Sequence, residues 1–133
     1  MKRWSFGMMV AGLVLGASMF AQPPASSRCF ELRTYTVAPG KLDALHRRFE
    51  DHAIGLFKKH GIDVIAFWLP ADRPNTLVYM LAHPACNAAP TSWKAFFDDP
   101  DWIAARDASE KDGPLVTKVE KVFMMPTAYS PLK

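Results

Sequence analysis

The stretch Ser92 to Glu110, S-W-K-A-F-F-D-D-P-D-W-I-A-A-R-D-A-S-E, organises the chain. Trp93, Phe96 and Phe97 recur three and four residues apart, so a helix there would put the three rings on one face. Asp98-Asp99-Pro100 stops that helix and starts another, because Asp99 suits an N-cap and Pro100 suits the first helical position. Asp101 then complements the positive end of the new helix dipole. Trp102, Ile103, Arg106 and Ser109 continue the second piece, and Gly113-Pro114 closes it. Two tryptophans flanking one Asp-Pro corner fix an angle between two helices. The reading is architectural first, with ligand stacking by the rings as its alternative.

Strands surround this corner. Cys29 to Val37 alternates, with Phe30, Leu32 and Thr34 on one face and Glu31, Arg33 and Tyr35 on the other. The apolar face is expected to meet the helices. Ala38 to Lys41 turns, and Leu42, Leu45, Phe49, Ala53 and Leu56 mark an amphipathic helix to about His60. Lys58, Lys59 and His60 complement its negative end, and Gly61 suits the C′ position. Gly55 inside it costs about 1 kcal/mol relative to alanine, so a neighbour's close approach is expected there. Ile62 to Leu69 is a second strand, Pro70 to Asn75 a loop, and Thr76 to His83 a third strand. Leu115 to Met125 is the fourth, followed by a proline-bearing tail.

The order strand, helix, strand, strand, two helical pieces, strand predicts an α+β fold. It is the ferredoxin-like βαββαβ pattern, an antiparallel four-stranded sheet in the order 4-1-3-2 with helices on one face. The other face then needs cover, which predicts a homodimer.

Residues 1–21 read as a signal peptide, with an uncleaved N-terminal anchor as the alternative: Lys2 and Arg3 precede an apolar, small-residue run from Met8 to Phe20 and a cleavage site near Ala21. Residues 22–28 form a linker and 29–133 the working domain, with no membrane span in the mature chain. The expected location is the periplasm or the exterior. Of the chain's 133 residues, 16 are Lys or Arg and 13 are Asp or Glu, a formal charge of +3. Removing Lys2 and Arg3 leaves fourteen basic against thirteen acidic residues, so nucleic acid is not an expected partner. The four histidines have no metal-binding spacing on one helix face, so no metal or other cofactor is expected.

Export places the two cysteines in an oxidising compartment. Cys29 opens strand 1 and Cys86 follows the end of strand 3. Those strands are antiparallel neighbours in the 4-1-3-2 order, which brings the cysteines together and predicts a Cys29–Cys86 disulfide. Two unrelated free thiols are the alternative.

Several segments together resemble the NIPSNAP family: E-L-R-T-Y-T from Glu31, P-G-K-L from Pro39, K-H-G-I from Lys59, and Phe67-Trp68. The resemblance continues through N-T-L-V-Y from Asn75, W-K-A-F-F-D-D-P-D-W from Trp93 and M-P-T-A-Y-S-P-L from Met125. It implies a dimeric α+β barrel in which two sheets meet by their open faces. The wider superfamily it implies includes cofactor-free oxygenases, haem-handling enzymes and isomerases, but no catalytic motif transfers residue by residue.

Glu31, Arg33 and Tyr35 are the candidate catalytic residues of strand 1, joined by His83 at the end of strand 3. In a functional reading Arg33 binds a carboxylate or enolate, and Tyr35 or Glu31 handles a proton. In a structural reading, which we prefer, Glu31 and Arg33 form a locked pair. A histidine at a strand end is more often a surface or capping residue. Arg33, Tyr35, Trp68 and Tyr79 are the candidate ligand-binding residues, with Trp68 otherwise in the core or an interface. The expected role is binding of a small apolar or carboxylated ligand, or assembly. A cofactor-independent oxygenase or isomerase with a pocket on the barrel side of the sheet is the alternative.

Overall fold

The computed structural model describes residues 28–133; the expected leader and residues 22–27 lie outside the described residues. Strand β1 (Cys29–Val37) pairs antiparallel with β3 (Thr76–His83) on one side and with β4 (Val116–Met124) on the other. β2 (Asp63–Trp68) pairs with β3 at the far edge. The order β2-β3-β1-β4 is the expected 4-1-3-2 read from the opposite edge. Among the described residues no helix is long and apolar enough to cross a membrane.

The first helical segment is one rod with an interruption. Helix α1 (Leu42–Arg48) runs through a π turn (Phe49–Ala53) into α2 (Ile54–Lys59). Leu45, Phe49, Ala53 and Leu56 bury themselves on the sheet as their spacing requires. Gly61, at φ 71°, ends the rod. The expectation for Gly55 does not hold, because a Cβ there would meet nothing within 4 Å. Its cost to the helix is not recovered by a contact.

A short 3-10 turn (Cys86–Ala88) leads into α3 (Ala89–Asp98), which begins before the aromatic run because Pro90 is tolerated in its first turn. α4 (Pro100–Ser109) starts where the Asp-Pro corner predicts, with Asp99 Oδ1 accepting from the backbone N–H of Asp101 at 2.9 Å. Phe96 is the pivot of the corner. Fully buried, its ring lies 4.9 Å from Phe57 and 4.6 Å from Trp102. The other oxygen of Asp99 accepts from Lys59 Nζ and pairs with His60 Nε2, each at 2.7 Å. The basic end of α2 therefore binds the α3–α4 corner rather than merely facing solvent. Those partners hold the Asp99 carboxyl well below its ordinary value.

The face assignment of β1 is reversed. Tyr35 packs 6.2 Å from Phe49, and Trp93 of α3 reaches Glu31, so the row Glu31, Arg33 and Tyr35 lies under the helices. Phe30, Leu32 and Thr34 face away from them. The polar row can lie inside because its charges pair with one another and with ring donors, an arrangement strand alternation does not reveal.

On the open face, register puts Leu32 beside Met80 and Val122, and Thr34 beside Val78. Leu32, Val78 and Met80 are half-buried, and Val122 is 55% exposed.

Candidate functional site: a buried carboxylate beneath α3

Glu31, the third residue of β1, is fully buried, and three side chains converge on it. Arg33 donates to Oε1 at 2.6 Å. Trp93 Nε1 donates to Oε2 at 2.7 Å, and His83 Nε2 lies 2.8 Å from the same oxygen. Burial works against the carboxylate, but the hydrogen bonds from His83, Trp93 and Arg33 outweigh it and hold Glu31 below its ordinary value. An ionised carboxylate only accepts, so Nε2 of His83 carries the proton; this assigns the tautomer from the network. Nδ1 of His83 and Nε of Arg33 are buried with no hydrogen-bond partner among the described residues.

The Arg33 guanidinium lies 4.3 Å from the Trp93 ring centroid, and within 6.0 Å of the Tyr35 and Tyr79 rings. Burial opposes its charge, while Tyr79, Tyr35 and Glu31 overcompensate and raise its pKa further. The hydroxyl of Tyr79 donates to that of Tyr35 at 2.7 Å. Burial pushes the Tyr79 phenol up, so it stays protonated.

Five predicted residues thus meet: Glu31, Arg33, Tyr35, Tyr79 and His83. His83 is no surface cap, being fully buried. Trp68 does not join them and is not in the core. It pairs with Val78 on the open face, is 48% exposed, and borders a hollow of about 300 Å³ with Phe49, Phe67 and Leu77. A pocket for the polar row on the barrel side of the sheet is excluded by the face on which that row lies. Four of the better-formed surface hollows among the described residues are lined by none of Glu31, Arg33 and His83.

Trp93 is the member of the cluster that sequence reasoning placed only in the aromatic corner. Its indole N–H needs a partner once buried, and a neighbouring buried acid was the available signal. The expected disulfide is present at the cluster's edge, joining Cys29 and Cys86 with Cα atoms 4.9 Å apart. In the chain-entropy model its sequence separation of 57 contributes about 4 kcal/mol.

This geometry defines a ferredoxin-like α+β domain with a sealed polar cluster between sheet and helices. The chain belongs to the NIPSNAP family, whose model matches residues 30–131. A NIPSNAP family protein of unknown function from Agrobacterium tumefaciens is similar at 24% identity and a TM-score of 0.70, over 81% of this chain and 96% of that one. An uncharacterised NIPSNAP-like domain protein from Burkholderia xenovorans is similar at 17% and 0.69, over 80% and 91%. A putative antibiotic biosynthesis monooxygenase from Nitrosomonas europaea shares the fold at 14% and 0.59, over 82% and 97%. Comparison with curated proteins finds no match.

Proposed function

We propose that the protein is an exported homodimer that works by binding or assembly, with residues 1–21 removed, 22–28 as a linker and 29–133 as the working domain. The open sheet face carries this reading. Leu32, Val78, Met80 and Val122 lie there without helices over them, and a second copy's equivalent face would cover them. The Cys29–Cys86 disulfide is compatible with an oxidising compartment. Glu31 argues against a general base in this state. Three of the roughly four acceptor positions of a carboxylate are occupied, and abstracting a proton would require giving one up.

A small apolar ligand suits the hollow beside Trp68, where Phe49, Phe67 and Leu77 supply apolar walls. A carboxylated ligand would engage Arg33 through a nitrogen other than Nη1, which already donates to Glu31. A native mass spectrum of protein purified from an exporting host tests both parts. A dimer of trimmed chains, with or without a retained small molecule, supports the proposal, whereas a monomer overturns it.

The second reading is a cofactor-independent oxygenase or isomerase. The unpartnered Nδ1 of His83 favours it, as does the fold shared with the Nitrosomonas protein described as a putative monooxygenase. Arg33 would hold a carboxylate or enolate and His83 would accept a proton, between sheet and helices.

A further inference from the structure

Cys29 is the register partner of His83 on β3 and precedes Glu31 by two residues. Cys86 lies in the 3-10 turn between His83 and Trp93. The Cys29–Cys86 bridge thus pins the middle of the segment that supplies two of Glu31's three partners.

The two ends of α3 are held differently. Phe96 is buried against Phe57 and Trp102, and Asp99 beyond it is tied to Lys59 and His60. At the other end Pro90 and Thr91 are exposed, and no side chain caps the helix. That end is held by the bridge, by buried Ala89 and by Trp93, which bonds Glu31 and packs its ring against Phe57 and the Arg33 guanidinium. Cutting the bridge removes the one covalent tie at the weaker end.

We propose that the disulfide is a redox latch on the buried Glu31–His83 pair. Oxidised, it seals the pair. Reduced, it lets the first turns of α3 swing about the Asp99 corner and admit solvent and solutes. The inference rests on the reading that the oxidised cluster is sealed. The co-reactant is a dithiol. One of its thiolates attacks Sγ of Cys86, the more exposed partner, and Cys29 leaves as a thiolate when the S–S bond breaks. The second thiol then attacks its own sulfur of the mixed disulfide and releases Cys86. Two electrons and two protons end on the cysteines, and the dithiol becomes a disulfide.

The test treats the mature protein with dithiothreitol and reads amide hydrogen exchange together with acylation of His83 by diethyl pyrocarbonate. Circular dichroism, urea unfolding and oligomer mass are recorded on the same samples. In the reduced, folded protein His83 should label roughly tenfold faster or more, with exchange rising at residues 89–94 and unchanged at Phe96. The Cys29→Ser, Cys86→Ser double variant should match this without reductant. Labelling that does not change, or that rises only in proportion to the global unfolding constant, overturns the latch. So does loss of all protection at once on reduction, which also decides the matter should the double variant not fold. A dimer with His83 still protected defeats the latch alone, whereas a monomer with His83 exposed on reduction defeats only the assembly reading.

Discussion

Trp93 donates its indole N–H to Oε2 of Glu31 at 2.7 Å, so helix α3 is hydrogen-bonded to the centre of the sheet through a buried carboxylate. Trp93→Phe keeps an aromatic ring over Arg33 and deletes only the donor. Stability should fall by about 1–3 kcal/mol, as expected for a lost hydrogen bond to a charged group. Trp68→Phe, at a half-exposed site, should cost less. Urea unfolding of the two variants makes the comparison, and equal losses would remove the bond's special role.

Arg33 is paired with Glu31 at 2.6 Å and lies over Trp93. Arg33→Ala leaves a buried carboxylate with one fewer positive partner and should cost about 3–5 kcal/mol. Arg33→Lys should recover only part of this, because an ammonium does not stack as a planar guanidinium does. Thermal or urea melts decide it. A variant as stable as the parent would transfer weight to a ligand-binding role for Arg33.

Acid should unfold the protein through two carboxylates. Burial opposes ionisation of Glu31, but hydrogen bonds from His83, Trp93 and Arg33 prevail and place its folded pKa below the ordinary 4.5. Lys59 and His60 place that of Asp99 below 3.8. A depressed folded pKa means the stabilisation is present above the unfolded value and is lost as pH falls through the folded one. Stability should therefore decline below pH 4.5, the ordinary glutamate value, with Asp99 contributing below 3.8, the ordinary aspartate value. In Asp99→Asn the decline should be shallower. Melts across the acid range test this, and an unchanged acid limb in that variant would exclude Asp99 as a contributor.

The fold was legible because its signals are local. Asp99-Pro100 marked a helix start, Gly61 a helix end, and alternation the strands, and their order implied a sheet topology close enough to pair Cys29 with Cys86. The candidate site was legible as a set of residues but not as a place. Alternation reports two faces without saying which is inside, and the apolar face of β1 looked like the one for the helices. What reverses it is non-local: Trp93, sixty-two residues from Glu31, and His83, fifty-two away, supply the donors that let a carboxylate be buried. The Lys59–Asp99 tie was hidden for the same reason, since a basic helix end already has a sufficient local explanation in the dipole.

Export should trim the chain near Ala21, on the evidence of Lys2, Arg3 and the apolar run that follows. The intact mass of periplasmic or secreted protein should correspond to a chain beginning near Gln22. Soluble protein that still carries Met1 to Phe20 would contradict the leader reading.

Whether a second copy covers the open sheet face is read from sedimentation equilibrium of the mature protein, parent beside Val78→Lys. Val78 lies at register with Thr34 on that face, so a lysine there would place a charge in the proposed interface. The parent should sediment as a dimer at micromolar concentration, and the variant should shift toward monomer while keeping its secondary structure. A parent that is a well-behaved monomer, or a variant that dimerises as tightly as the parent, would mean that no second copy sits on this face.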